Sequence, residues 1–168
     1  LDLYRQRLTA KDLLDLLHSS KDDAIHHLIT SLSLCGLTNE IMGIIYLLPN
    51  LSSLIVQTKA QTLTLPMLLS LTSLTLVENG CPLTTVDLSK IPNLSFLMLE
   101  GFKSLTNLTL PDNPGLVTLR LSHCKQLTNH IPNILQHSPN LKVLELSRFP
   151  FNMLYLSTLF NLESLDLT

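Results

Sequence analysis

The chain has 168 residues and a formal net charge of −2, with 45% hydrophobic and 14% charged residues. This length fits one domain or one array of repeats, and the small negative charge provides no attraction to nucleic acid. The sequence contains no run of about 18 apolar residues, so we predict no membrane-spanning helix. Leucine accounts for 44 positions, far above the usage of ordinary globular domains.

The unit Leu-x-x-Leu-x-Leu recurs along the chain. Its seven copies begin at Ile29, Leu51, Leu71, Leu94, Leu116, Leu141 and Leu162. Leu1 and Leu3 fit the end of an earlier copy. In each copy the last two apolar residues alternate with an outward residue, as Leu32 and Leu34 flank Ser33. This period of two predicts a strand with its leucines on one face. One copy cannot bury its leucines alone, so we expect the copies to stack.

The segments between the strands differ along the chain. Short helices are predicted by apolar spacing at residues 9–18, 38–48, 128–137 and 153–160. Thr9 and Thr38 are suited to start helices because a hydroxyl can cap free backbone amides. Alternation instead predicts extended connections at residues 63–66, 86–88 and 108–111. Because a helix is wider than a strand, we predict a flatter array over residues 57–115 and more curved ends.

The repeat resembles the leucine-rich-repeat family over the whole chain. The resemblance implies an α/β solenoid with a parallel β-sheet on the concave face and mixed short helices and extended segments on the convex face. We expect one domain over residues 1–168 with about eight strands and, since both ends fall within a repeat, a fragment of a longer protein. The copies at residues 9–48 resemble the ribonuclease-inhibitor type. The copy around Cys124 resembles the cysteine-containing repeats of F-box proteins.

Members of this family usually place Asn or Cys three positions after the last strand leucine, where the side chain bonds buried loop backbone. Only Asn79 and Cys124 fit this pattern. The remaining equivalent positions are occupied by Leu37, Lys59, Phe102 and Phe149. We therefore predict that apolar packing replaces most of this polar ladder.

Three cysteines, Cys35, Cys81 and Cys124, are too few and too widely spaced for a disulfide framework or a zinc motif. They favour a reducing compartment. We expect Cys124 to point into the core and Cys35 to point outward. His130 and His137 raise the alternative of a metal site with Cys124, but they fall near the two ends of a short helix. We predict neither a metal ion nor a cofactor.

Asn50, Asn93 and Asn107 match the acceptor pattern for glycosylation. Two interpretations are open. Glycosylation requires secretion, whereas the Asn-Leu pair is also part of the repeat's own turn, which produces the pattern without any glycan. The second interpretation agrees with the cysteine content and with a cytoplasmic protein, or one delivered into a host cytoplasm.

Outward residues of the strands are free to carry binding specificity. Ile55, Val77, Phe96 and Met98 form an apolar stripe across the central strands. A charged sector follows, made of Glu100, Arg120, Glu145, Arg148 and Asp166. An apolar patch with a charged flank is typical of a protein interface. Two alternatives are isolated exposed residues without function and a stripe covered by another segment of the parent protein.

The sequence shows no carboxylate pair, no nucleophile with a base and no phosphate-binding glycine loop of the kind that would predict an enzyme. We therefore expect a protein–protein interaction module that binds a partner protein on the concave β-face. The alternative is the substrate-recognition part of a ubiquitin-ligase component or bacterial effector whose catalytic or F-box domain lies outside this fragment. A ribonuclease-inhibitor-like clamp is less favoured because the outward positions carry few acids.

Overall fold

The computed structural model describes residues 2–19, 24–36, 39–80, 82–111, 115–149 and 156–168. Its strands are β1 (Asp2–Leu8), β2 (Ser31–Cys35), β3 (Ser53–Thr58), β4 (Thr62–Thr64), β5 (Ser73–Glu78), β6 (Thr85–Asp87), β7 (Phe96–Glu100), β8 (Asn107–Thr109), β9 (Thr118–Ser122), β10 (Val143–Ser147) and β11 (Ser164–Asp166). Its helices are α1 (Ala10–Ser19), α2 (Ala24–Leu28), α3 (Asn39–Ile45) and α4 (Ile131–Gln136), with a 3-10 helix over Lys125–His130. The chain is thus α/β.

Two parallel sheets organise the chain. An eight-stranded sheet, here the front sheet, has the order β1-β2-β3-β5-β7-β9-β10-β11. A three-stranded sheet, here the back sheet, has the order β4-β6-β8. The strands of the front sheet are those that the leucine unit predicts, and this prediction is confirmed.

The front sheet keeps one register from β2 to β11, so equivalent residues form rows across it. One row contains Leu32, Leu54, Leu74, Leu97, Leu119, Leu144 and Leu165. Its members up to Leu144 are completely buried. Leu165 is 42% exposed, because no strand follows β11 in the described sheet. Neighbouring strands lie about 4.8 Å apart, so the same register aligns the outward side chains in rows.

A single hydrophobic cluster runs through the chain from Leu3 to Leu159. The leucines of the front sheet contribute one side of it, and the back segments contribute the other. Burying apolar area at about 25 cal/mol per Å² is the main favourable contribution to such a fold. Since each copy touches its neighbours, the core is continuous along the array.

The extended back segments are confirmed. β4, β6 and β8 pair in parallel, and their central residues Leu63, Val86 and Leu108 are buried. The structure describes residues 60–67, 83–90 and 105–110, and no helix occupies them. The flatter array predicted for residues 57–115 stays a prediction.

The helical segments are confirmed in three of four cases, by α1, by α3 and by the 3-10 helix with α4. The fourth prediction, residues 153–160, is wrong over residues 156–160, which form a turn, and residues 153–155 lie outside the described residues. There the backbone N–H of Leu159 bonds the Leu156 carbonyl at 3.0 Å, an i→i+3 bond of a turn where an α-helix would make i→i+4 bonds. Among the described residues, no helix is long and apolar enough to cross a bilayer.

The start of α1 confirms Thr9 as a cap. The backbone N–H of Asp12 donates to Thr9 Oγ1 at 3.2 Å, and the backbone N–H of Thr9 donates to Asp12 Oδ2 at 2.8 Å. This reciprocal arrangement satisfies two amides that the helix itself leaves free. Thr38, the other predicted cap, lies outside the described residues.

Apolar packing in place of the polar ladder is confirmed at two of the four positions that lack Asn or Cys. Phe102 is fully buried and Phe149 is 8% exposed, whereas Lys59 is exposed, and Leu37 lies outside the described residues. Cys124 is buried as expected. The expectation for Asn79 is wrong: its side chain is exposed. Its backbone N–H bonds the Thr58 carbonyl at 3.2 Å, so the strand-to-strand contact at this turn is made by main chain rather than by the amide.

A different polar ladder lies where the chain enters the front strands. Side-chain amides of three asparagines donate to a carbonyl of the preceding copy; the pairs are Asn50 with His27, Asn93 with Leu69 and Asn161 with Pro139, at 2.8, 2.7 and 3.2 Å. Hydroxyls add a parallel series, in which Ser52, Thr72 and Ser95 donate to Thr30, Ser52 and Thr72. The entry turns are therefore the polar seam that joins successive copies.

Candidate protein-binding surface

The outward face of the front sheet carries its side chains in three rows. The middle row contains Ser33, Ile55, Thr75, Met98, Arg120, Glu145 and Asp166. Five of the nine residues predicted from sequence share this row. Val77 and Glu100 are register partners in the row on the carboxyl side, and Phe96 lies in the row on the amino side. The register thus brings Phe96, Met98 and Arg120 together on β7 and β9.

Arg120 is the point at which the apolar stripe and the charged sector meet. Its Nη2 atom lies 3.1 Å from Glu145 Oε1, and its Cζ atom lies 5.8 Å from the centre of the Phe96 ring. Met98 is its partner on β7 in the middle row. We call Phe96, Met98, Arg120 and Glu145 the central cluster. An ion pair and a cation–π contact hold the guanidinium in one place.

The central cluster is partly open to solvent. The Arg120 and Glu145 side chains are 41% and 33% exposed, and Phe96 and Met98 are of intermediate exposure. Arg120 Nε is buried and has no acceptor among the described residues, so the guanidinium is not saturated by bonds within the chain. Side chains already fixed by neighbours lose little rotamer freedom when a partner binds. Aromatic residues, Met and Arg are also the residues enriched at interface centres.

The remaining apolar residues reach the cluster along a diagonal. Val77 is offset by one row from Met98, and Thr75 separates Ile55 from Met98 within the middle row. Diagonal neighbours on adjacent strands lie about 7–8 Å apart, within reach of long side chains. The predicted apolar stripe is therefore an oblique patch rather than a straight band.

Arg148 and Asp166 belong to the end of the sheet. Asp166 Oδ1 accepts the backbone N–H of Thr168 at 3.0 Å. Arg148 follows β10 with a φ of 61°, and Gly36 and Gly101 occupy the equivalent left-handed position after β2 and β7. A non-glycine residue is strained in this conformation. The backbone of the turn therefore favours glycine over arginine. These two residues lie outside the central cluster.

A second exposed apolar set was missed by the sequence analysis. Leu28, Tyr46, Leu47, Met67 and Leu69 are between 39% and 63% exposed. We call them the flank patch, because all five precede the entry into β2, β3 or β5. A signal was present in the sequence: the position of Leu69 holds Pro49, Pro92 and Pro139 in other copies. Leu69 and Phe160 each place an exposed apolar side chain where these copies have proline.

Cys124 has no reactive environment. Burial raises the pKa of its thiol to about 12, and its sulfur lies 3.4 Å from the Ser122 carbonyl oxygen. A thiol with so high a pKa stays protonated and is a poor nucleophile and metal ligand. Cys35 is half-exposed, with its sulfur 3.5 Å from Gln57 Oε1, which confirms its outward direction. Cys81 lies outside the described residues.

Two histidines beside the helical copy, His123 and His137, make separate hydrogen-bond contacts. His123 Nδ1 lies 2.9 Å from Ser122 Oγ, and His137 Nδ1 lies 2.8 Å from the Asn133 carbonyl oxygen. His130 and His137 flank α4 at its two ends. Within the described residues, no three His, Cys, Asp or Glu side chains are placed to hold one metal ion.

The central cluster and the flank patch are two candidate docking surfaces on one chain. The two surfaces differ in charge, since the central cluster contains Arg120 and Glu145 and the flank patch is apolar. No protein-family model, curated protein or solved structure shows a significant match to the chain.

Proposed function

We propose that the chain is a leucine-rich-repeat solenoid that binds a partner protein on the front sheet at the central cluster. The observation that carries the proposal is the placement of Arg120 between the Phe96 ring and the Glu145 carboxylate. One parallel strand for each leucine unit supports the solenoid, in which the front sheet forms the concave face. The role proposed is binding rather than catalysis.

The chemistry of the cluster suits an apolar side chain flanked by a hydrogen-bond acceptor. Phe96 and Met98 offer a half-exposed apolar surface. Arg120 has five N–H donors in a planar fork, and its ion pair with Glu145 uses the Nη2 side. A backbone carbonyl or carboxylate of the partner can therefore bond the guanidinium while an apolar side chain covers the ring.

We propose that the protein works in the cytoplasm, its own or that of a host. The support comes from chemistry in the turns and the core. Cys35 and Cys124 are both free. Asn50 and Asn93, which match the glycosylation pattern, each donate a hydrogen bond across the entry turn. That structural role accounts for the two asparagines without a glycan.

Affinity capture from a cell extract, followed by mass spectrometry, tests the proposed interface. The informative variant is the pair Phe96→Ala and Met98→Ala, which removes the apolar surface and leaves the buried leucine rows intact. A control is Met67→Ala with Leu69→Ala, which removes two exposed apolar side chains from the flank patch. We expect the first pair to lose the partners that the wild-type chain retains. The control pair should keep them.

Two other outcomes would contradict the proposal. If the control pair loses the partners while the Phe96→Ala, Met98→Ala pair keeps them, the flank patch is the interface. If Glu145→Lys abolishes binding while the Phe96→Ala, Met98→Ala pair binds as tightly as wild type, the apolar anchor is wrong. Thermal unfolding of each variant, expected to match wild type closely, separates loss of binding from loss of folding.

A further inference from the structure

The flank patch lies in the least charged part of the chain. Residues 24–36 contain no Asp, Glu, Lys or Arg, and residues 41–77 contain only Lys59. Residues 78–168 contain thirteen such residues. Lys59 follows β3 at its carboxyl end, whereas the flank patch precedes the amino ends of β2, β3 and β5. The patch therefore belongs to a stretch of chain in which almost no charge is available to keep copies of the protein apart.

The apolar character of this flank is local to the first copies. Leu47 and Met67 occupy the same place in successive copies, two residues before the proline position of the entry turns, and are 39% and 63% exposed. Lys90 and His137 occupy that place in later copies and are exposed as well. An exposed apolar side chain at this place is thus not a requirement of the repeat. It is a feature of the copies that form the flank patch.

The main chain beneath the flank patch is already hydrogen-bonded. The side-chain amide of Asn50 donates to the His27 carbonyl, and the side-chain amide of Asn93 donates to the Leu69 carbonyl. Between them, the Ser70 hydroxyl donates to the carbonyl of residue 49. The entry turns therefore present side chains rather than open backbone groups. A molecule that covers this surface must do so by apolar side-chain contact.

The area of the flank patch is sufficient for a small dimer interface. Its five side chains are between 39% and 63% exposed. At about 200 Å² for a large side chain, they expose on the order of 500 Å² together, which is towards the upper end of the patches found on monomers. Two such patches packed face to face would bury on the order of 1,000 Å², the lower limit for a specific interface. The exposed Pro49 ring adds to this area.

We propose that the flank patch packs against the flank patch of a second copy of this chain around a two-fold axis. A two-fold interface brings each side chain close to its own equivalent, so it excludes patches that carry one sign of charge and accepts an uncharged apolar patch. Recognition of an unlike protein usually relies on complementary charges, and the flank patch has none. The net charge of −2 opposes association only weakly.

The two-fold axis passes close to the middle copy of the patch. Leu47 of one copy then lies near Leu47 of the other, and Leu28 at one end of the patch faces Leu69 at the other end. The central cluster lies on β7, β9 and β10, away from these turns, so both copies keep it open. The inference therefore does not depend on the proposed function.

Sedimentation velocity measurements on the chain test the association directly. From about 1 to about 500 µM protein, we expect the mass to rise from 18.8 kDa to a plateau at twice that value, with a dissociation constant of about 1–100 µM for so small an interface. A monomer at every concentration would overturn the proposal. Sedimentation of that monomer with phosphatidylcholine vesicles would then assign the patch to a lipid surface. Growth beyond two copies would also contradict it, because a two-fold contact is closed.

A matched pair of variants locates the interface. Leu69 and Phe160 occupy the same turn position in different copies and are 60% and 88% exposed, but only Leu69 belongs to the flank patch. Leu69→Lys buries an unpaired charge in the dimer, so we expect the dissociation constant to rise by at least about tenfold. Phe160→Lys should leave it unchanged. Equal effects, or a larger effect of Phe160→Lys, would overturn the assignment. Thermal unfolding of both variants should match wild type, since both side chains are exposed.

A charge-swap experiment tests the two-fold axis. Leu47→Lys and Leu47→Glu each place like charges near the axis, so each variant alone should associate at least about tenfold more weakly than wild type. An equal mixture places opposite charges there, and native mass spectrometry should then detect mixed dimers in excess of either homodimer. Absence of this recovery would contradict a two-fold contact at Leu47. The Phe96→Ala, Met98→Ala pair should dimerise as wild type does, so that failure here and failure of the front-sheet proposal remain distinct.

Discussion

The middle and the ends of the array share one front sheet and differ in what lies behind it. In the middle, β4, β6 and β8 form the back, whereas α1, α3 and α4 form it towards the ends. The length of a copy does not decide between them. The copy from Ile29 to Leu51 and the copy from Leu94 to Leu116 both span 22 residues, yet the first has a helix and the second a strand.

Local periodicity decides the back of each copy. Behind β2, the buried residues Ile44, Ile45 and Leu48 are spaced by one, three and four positions, as on one face of a helix. Behind β7, Leu108 and Leu110 alternate and Pro111 follows at once. Proline cannot donate a helical hydrogen bond. The front therefore depends on the repeated leucines and the back on a signal that each copy carries separately, which is why two kinds of back can meet at β8.

The largest effect should come from the corner where front and back join. Phe102 in the middle is fully buried, and Phe149 towards the end is 8% exposed. Replacing Phe102 with Ala leaves a cavity in a closed core, and we expect it to lower the free energy of unfolding by about 3–5 kcal/mol. Phe149→Ala should cost less. Urea denaturation of both variants measures the difference, and a larger loss at Phe149 would mean that the end copies are the better packed.

The entry ladder should contribute equally in both regions. Asn50 follows a helical back and Asn93 an extended one, but each amide donates to the preceding copy at nearly the same distance, 2.8 and 2.7 Å. We expect each Asn→Ala variant to lose about 1 kcal/mol of unfolding free energy in urea denaturation. Asn107→Ala, at an exposed position in β8, is the control and should change stability little. Unequal losses at the two ladder positions would show that the turns of the two regions differ.

The strands and most helices follow from the sequence because each depends on the pattern of one copy. The junction between the extended and the helical backs and the central cluster depend on pairs of copies. Arg120 reaches Phe96 only because β7 and β9 are in register, although the two residues are far apart in sequence. The entry ladder had a visible sign in the recurring Pro-Asn turns, but the acceptors are main-chain carbonyls, which no residue type marks. The turn at residues 156–160 shows that apolar spacing over a few residues does not guarantee a helix.

Two ion pairs allow a finer comparison within the front sheet region. Lys142 and Glu163 are 2.7 Å apart but 50% and 65% exposed, and Arg120 and Glu145 are 3.1 Å apart and 41% and 33% exposed. Burial and the contact with the Phe96 ring should affect the coupling energy of an ion pair more than its N–O distance does. In double-mutant cycles with alanine we expect a coupling of about 0.5–1 kcal/mol for Arg120–Glu145 and a smaller one for Lys142–Glu163. A larger coupling for the more exposed pair would mean that the ring does not hold the guanidinium.

The smallest effect should be the pH response of the first helix. Hydrogen bonds from the Thr9 side chain and backbone hold the pKa of Asp12 below its usual 3.8. Because the folded pKa is depressed, the cap stabilises the fold fully above the unfolded pKa, and its contribution is lost as the pH falls through the folded value. In Thr9→Ala we expect the Asp12 pKa to rise towards 3.8 in an NMR titration.

In the middle of the array, the pKa of Asp87 is lowered in a similar way, first by the backbone N–H of Ser89. Asp87 is therefore the internal control, and its titration in the Thr9→Ala variant should stay as in wild type. A parallel shift of both groups would mean that losing the cap disturbs the whole array rather than one end. A shift at Asp12 alone would show that the cap acts locally on its own carboxylate, although the helical end shares a continuous core with the extended middle.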